Sequence, residues 1–195
     1  MARHISFSIF ISLFFLIASA QKIMHSLGAS ANLITQTVKV NGPAGPLTVN
    51  KNQSLFHGGG DYFVRYNLKE TENSSISIGL PIDFGLGTIS DPINDATGLY
   101  LAGDASLGLF YNSGLKSTKE NESTFGYFAG GGFSYGYVGI SYDKKKLNIN
   151  TYGPMLYSGI RFPVKNQVMS IGLFFRYGLE TEKLKTFGLK MMRDF

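Results

Sequence analysis

The sequence predicts an all-β fold, an eight-stranded antiparallel up-and-down transmembrane β-barrel. Three observations lead there. Charged residues make up 16% of the 195 residues, while aromatics reach 14% and 24 residues are glycine; soluble domains carry roughly 25% charged residues. Apolar residues alternate with small or polar ones along almost the whole chain after residue 20, the two-residue period of a strand with unlike faces. No later stretch is apolar over the roughly 20 residues that a spanning helix needs, so a bilayer is crossed with strands or not at all.

Residues 1–20, "MARHISFSIFISLFFLIASA", place Arg3 and His4 before an apolar run from Ile5 to Ile17 and end on Ala18-Ser19-Ala20. That order is a secretory signal peptide, expected to be cleaved between Ala20 and Gln21, which leaves 21–195 as one barrel domain. The first strand of that domain shows Leu27, Ala29, Ala31 and Leu33 on one face. In "GDYFVRYNLKE" Tyr62, Val64, Tyr66 and Leu68 oppose Phe63, Arg65, Asn67 and Lys69. "SSISIGLPIDFGLG" is the cleanest element: Ile76, Ile78, Leu80, Ile82, Phe84 and Leu86 alternate with Ser77, Gly79, Pro81, Asp83 and Gly85. The fourth strand turns Leu99, Leu101, Ala105, Leu107, Leu109 and Tyr111 one way, and the fifth Phe125, Tyr127, Ala129, Phe133, Tyr135 and Tyr137. The sixth is less regular, with Tyr152, Leu156, Ile160 and Phe162 on its apolar side; the seventh shows Met169, Ile171, Leu173, Phe175 and Tyr177. "KTFGLKMMRDF" supplies the eighth.

An even number of neighbouring antiparallel strands closes into a barrel without exposed edges. The connections alternate as well. "ETENS" and "PVKNQ" are short, whereas "NGPAGPLTVNKNQSLFHGGG" and "TISDPINDATG" read as long loops on the opposite side. "NSGLKSTKENEST" breaks the rule, being long on the side where turns should be short.

A soluble lipocalin-like barrel alternates too, with its apolar side inward around a ligand. Here the polar faces are mostly Gly, Ser and Ala, residues suited to the crowded interior of eight strands rather than to a water-facing exterior rich in Lys and Glu. Aromatics also gather near strand ends, as interfacial girdles require. The apolar faces are therefore expected to meet lipid. Arg65, Asp83, Asp104, Arg176 and Lys190 then point inward, where each charge needs a partner. Arg65 is expected to pair with Asp83 or Asp104.

At the C-terminus Phe187, Leu189, Met191 and Phe195 share one alternating face, interrupted by Arg193, whose long stem can snorkel to headgroups. This segment resembles the last strand of bacterial outer-membrane β-barrel proteins. With the signal peptide and eight strands, the chain resembles the small barrels of the OmpA and OmpX type. The resemblance implies residence in the outer membrane, with outer-membrane lipid around a monomer. It further implies escort by periplasmic chaperones and insertion by the barrel-assembly machinery, with Phe187, Leu189, Met191 and Phe195 as the assembly signal. No single activity follows from it.

Other classes find less support. The formal charge is +5, but its basic residues are scattered except for Lys144-Lys145-Lys146, which lacks interleaved aromatics and reads as a solvated loop rather than a nucleic-acid site. With no cysteine there is no disulfide framework or thiolate metal site, and no cofactor or metal is expected. Ser54, His57 and Asp61 allow a nucleophile, base and carboxylate for a lipid-modifying enzyme to be imagined in the first long loop; a solvated histidine is the plainer reading, so no catalytic residue is assigned. A wide pore is disfavoured because Phe63, Arg65, Phe128, Tyr157 and Phe174 fill the interior of so small a barrel. The remaining expectation is a structural or surface-binding role exercised through the outer loops.

Overall fold

The structure, a computed structural model, describes residues 22–41, 48–91, 96–142, 145–180 and 184–195. The expected signal peptide and its cleavage point lie outside the described residues. Eight strands follow one another: β1 (Ile23–Asn41), β2 (Thr48–Glu70), β3 (Ser74–Asp91), β4 (Ala96–Gly114), β5 (Gly126–Tyr142), β6 (Lys145–Val164), β7 (Gln167–Tyr177) and β8 (Lys185–Asp194). Each pairs antiparallel with its chain neighbour, and β8 returns to β1, so the sheet closes. Over the band where both neighbours are present, each strand thereby finds partners for both of its rows of backbone groups, which an open sheet cannot offer.

The register fixes the stagger. From Ile23 the cross-strand partners run Tyr66, Ile78, Leu109, Gly131, Leu156, Phe175 and Phe187, and return to β1 at Leu33. The walk comes back ten residues further along β1, the shear of a strongly tilted barrel whose interior side chains just fill. One irregularity, between Asn67 and Lys69, marks a bulge where β2 approaches its turn.

Alternation places the two residue classes on opposite sides of this wall. On β3, Ile76 to Leu86 point outward at 37–61% exposure, while Ser77, Gly79, Pro81, Asp83 and Gly85 are buried inside. Leu99, Leu107, Leu156 and Leu173 are each more than half exposed, whereas Arg65, Arg161, Arg176 and Lys190 are 1–2% exposed. The distribution is inverted relative to a water-soluble protein, whose exposed apolar patches seldom exceed a few hundred Å².

Two expected long loops are largely strand. Residues 48–60 of the first and 88–91 and 96–98 of the second belong to β2, β3 and β4. Their glycines and asparagines hide the alternation, yet ladder hydrogen bonds to a neighbour require only backbone. The lysine run was expected in a loop, but Lys145 opens β6; Lys144 lies outside the described residues. Residues 115–125 form the long connection on the side of the termini, and its first residues, 115–117, fold inward.

Candidate functional site

The interior is stacked in layers, and the sequence order of each strand produces the stacking. Asp61 lies opposite Asp83 in the β2–β3 ladder, and Asp83 opposite Asp104 in the β3–β4 ladder. Three inward carboxylates thus stand side by side. Like charges so placed repel strongly in a low-dielectric interior, and two cations from β8 and β7 answer them. Lys190 Nζ on β8 lies 2.7 Å from Asp61 Oδ1 and 3.3 Å from Asp83 Oδ2. Arg176 on β7 pairs with Asp104, which also accepts from Ser106 Oγ at 2.9 Å and Ser134 Oγ at 2.6 Å. Arg176 Nη2 donates to Thr186 Oγ1 at 2.8 Å. Gly136 makes room for this guanidinium, because a β-carbon there would overlap Arg176 Nη1.

His57 extends the layer away from the termini. Its Nε2 is 4.0 Å from Asp83 Oδ1 and 3.2 Å from Asn32 Nδ2, and its Nδ1 is 3.3 Å from the Tyr100 hydroxyl. Beyond it a buried apolar cluster of Ile34, Leu55, Tyr100, Ala102, Val138, Ile140, Ile149 and Leu184 fills the lumen.

Toward the termini an aromatic layer comes first. Phe63, Phe110, Phe128, Tyr157 and Phe174 are 0–2% exposed, joined by Met155 and Met192. Phe63–Phe110 and Phe128–Tyr157 ring centroids are both 5.0 Å apart, at the tilted or edge-on geometry that aromatic quadrupoles prefer. Lys190 Nζ sits 4.8 Å from the Phe174 centroid and so touches both layers.

A second polar layer follows. Arg65 Nη1 and Arg161 Nη2 both donate to Asn112 Oδ1, at 2.7 and 2.9 Å. Arg161 Nε is 2.9 Å from Asp194 Oδ2, but the oxygen lies off the N–H direction, so the contact is an ion pair without a hydrogen bond. Arg65 Nη2 donates to the Lys116 carbonyl. Ser117 O accepts from Asn67 Nδ2 at 3.1 Å and from Ser75 Oγ at 2.6 Å. Residues 115–117 therefore tuck under the wall, with Leu115 and Ser117 buried. The chain reverses there through Gly114 at φ 70° and Lys116 at φ 54°, a left-handed pair that only the glycine adopts without cost.

The five interior charges singled out from the sequence divide between these layers. Lys190, Asp83, Arg176 and Asp104 meet in the first. Arg65 does not join them: among the described residues it makes no ion pair, and the expected partnership with Asp83 or Asp104 is replaced by Asn112, Lys116 and Met24. Arg65 sits four residues nearer the end of β2 than Asp61, and Phe63 lies between them. Asp61, Arg161, Asp194 and His57 were not assigned to the network. Parity could have found the first three, since Tyr62, Ile160 and Phe195 point outward and their neighbours must then point in.

Ser54, His57 and Asp61 do not converge. Ser54 is exposed outside the wall, His57 is buried inside it, and Asp61 is held by Lys190. His57 also lies in β2 rather than in a loop. Among the described residues no group of three or more His, Asp and Glu side chains could hold a metal ion. Phe187, Leu189, Met191 and Phe195 all face outward on β8, 47–52% exposed.

No protein-family model matches the chain, and no curated protein is similar to it in sequence. Among solved structures it is similar to Neisserial surface protein A, with a TM-score of 0.55 and 8% identity over 88% of this chain and 95% of that one. It is likewise similar to the outer membrane protein OprG from Pseudomonas aeruginosa, with a TM-score of 0.54 and 10% identity over 88% and 93%. At these identities the likeness is one of fold: a closed eight-stranded barrel of the kind found in bacterial outer membranes.

Proposed function

We propose that the protein is a small integral outer-membrane barrel, exported with a cleaved signal peptide and embedded as a monomer. Its role is structural or one of surface binding through the end opposite the termini. The observation behind this reading is the inverted wall, with leucines and isoleucines outside and four cations and four carboxylates inside. A lipid-facing surface of that composition is stable in hydrocarbon and unsatisfiable in water.

The uneven strand lengths support the role given to the outer end. A tilted strand needs about 9–11 residues to cross a bilayer. β7 and β8 have 11 and 10, whereas β1 to β6 have 17 to 23, β2 being the longest. With the termini and residues 71–73 and 165–166 taken as periplasmic, the surplus of β1 and β2 projects on the cell surface as a paired ribbon. Ribbons of this kind offer a partner both faces and a rigid base. The lumen is closed to bulky solutes by the aromatic layer, which argues against a wide pore, and among the described residues Ser54, His57 and Asp61 do not converge. Periplasmic chaperones and the barrel-assembly machinery are the partners we propose for biogenesis.

Membrane fractionation with intact-mass analysis tests the reading. A heat-modifiable species beginning at Gln21 in the outer membrane is expected. A soluble periplasmic protein loaded with an apolar ligand would overturn it. Purified protein with and without His57→Ala should show the same lack of lipid-modifying activity; a lipid product formed by the wild type alone would restore the enzymatic alternative.

A further inference from the structure

The outer face of β8 ends on a cation set among apolar neighbours. Below Lys185 this face runs Phe187, Leu189, Met191, Arg193 and Phe195, all exposed. Arg193 lies opposite Leu27 on β1 and Met169 on β7, so both flanks of its stem are apolar. Its guanidinium reaches toward the termini and stands 4.7 Å over the Phe195 ring. Among the described residues no carboxylate oxygen lies within ion-pair distance of it.

A second polar group shares the patch. His25 Nδ1 and the Tyr62 hydroxyl, both on the outer face, are 2.6 Å apart. The His25 carbonyl accepts the Phe195 N–H at 2.8 Å, which puts the imidazole beside the strand end that carries Arg193. Three adjacent strands, β8, β1 and β2, thus carry a guanidinium and a hydrogen-bonded imidazole–phenol pair on one face at the same end of the wall, with Leu27 between Arg193 and Tyr62 and with Leu27, Leu189 and Met191 51–57% exposed and apolar.

A cation on the lipid-facing side is tolerated where its stem can lie along acyl chains and its head can reach the interface. An arginine presents a planar fork that matches two phosphate oxygens, and the hydrogen-bonded His25–Tyr62 pair keeps one further N–H or O–H free to donate to the same group. We infer that Arg193, with His25 and Tyr62, forms a site for the phosphate of a phospholipid in the leaflet nearest the termini, which is the inner leaflet in the orientation proposed above. The inference rests on that membrane reading. It adds a fixed, stoichiometric lipid where the wall would otherwise meet lipids at random.

Native mass spectrometry of the full protein tests this. The chain is refolded into vesicles of phosphatidylethanolamine and phosphatidylglycerol and extracted with a maltoside detergent, which has no phosphate of its own. One phospholipid should persist at a collision energy that strips all others. Arg193→Gln should lower the retained population about tenfold, the scale of losing one charge-assisted phosphate contact. Arg193→Lys should restore part of it, and Lys185→Gln, at the other end of β8, should leave it unchanged. Vesicles of a phosphate-free glycosyl diacylglycerol should give no persistent adduct. Equal retention by Arg193→Gln, or retention of the phosphate-free lipid, would overturn the site. Heat-modifiable migration verifies that each variant is folded. A wild-type chain that never enters vesicles would instead sink the membrane reading, and this site with it.

Discussion

The two buried polar layers solve the same problem by different means. In the layer of Asp61, Asp83 and Asp104, anions are answered by cations, Lys190 on β8 and Arg176 on β7. In the layer of Arg65 and Arg161, two guanidiniums share a neutral amide oxygen on Asn112, and only Arg161 has a carboxylate partner. Arg65 turns instead to a backbone carbonyl of the turn at 115–117. The first layer ties β8 to β2 and β3, and β7 to β4, by ion pairs. The second joins β2, β4 and β6 through Asn112 and also ties a turn to the wall through Arg65. Charge compensation is costly to break on one side only, because the abandoned ion remains buried; a donor facing neutral acceptors leaves less behind.

That contrast sets an order of effects. Lys190→Met should be the most damaging change, since it leaves Asp61 and Asp83 facing each other without a cation. We expect a loss of about 3–5 kcal/mol in urea unfolding from micelles, partly recovered by adding Asp83→Asn. A loss below about 1 kcal/mol, the range of hydrated surface pairs, would mean that water already reaches this layer.

Arg176→Met should cost somewhat less, about 2–3 kcal/mol, because Ser106 and Ser134 still donate to Asp104. Asp104→Asn in the same chain should recover most of it. If the double variant is no better than the single one, the damage arises from lost packing and the electrostatic account of this pair fails.

For Arg65→Ala we expect about 1–3 kcal/mol, and here Asp104→Asn should give no recovery. Amide exchange should quicken at residues 115–121 while β7 keeps its protection. Recovery by Asp104→Asn would show the two layers to be electrically coupled through the aromatics, and would erase the distinction drawn above.

Deleting Phe195 should change the stability of a folded barrel least, by less than about 1 kcal/mol, since its half-exposed ring leaves little area buried. Its expected effect is on biogenesis: less protein in the outer membrane and more degraded in the periplasm. Unchanged insertion in cells would end the reading of Phe187, Leu189, Met191 and Phe195 as an assembly signal.

How much of this could be read from the sequence depended on period and on distance. The strands of the lipid band were legible because Ile76 to Leu86 or Met169 to Tyr177 repeat every two residues. The extensions of β1 and β2 were not, because "NGPAGPLTVNKNQ" has turn-forming composition and no hydrophobic alternation. Inward charges were legible by parity from their outward neighbours. Their partners were not: Lys190 and Asp61 are 129 residues apart, and only the ten-residue stagger decides which inward rows meet across the lumen. The β2–β3 register, which sets Asp83 opposite Asp61, moved Arg65 out of reach of Asp83. The inward fold of residues 115–117 had no signal beyond an unexpectedly long connection.

The order in which the charges occur along the chain has a consequence for synthesis and folding. All three carboxylates of the first layer are delivered by β2, β3 and β4, and both of their cations by β7 and β8. A half-finished sheet therefore exposes an acidic stripe that prefers water to hydrocarbon, and it keeps that preference until the final hairpin arrives. A fragment lacking β7–β8 would have to bury three carboxylates without their cations, which is costly in hydrocarbon. Because Lys190 and Arg176 sit on the two strands that complete the ring, the contacts that close the sheet onto β1 come from the same segment that neutralises the acidic row.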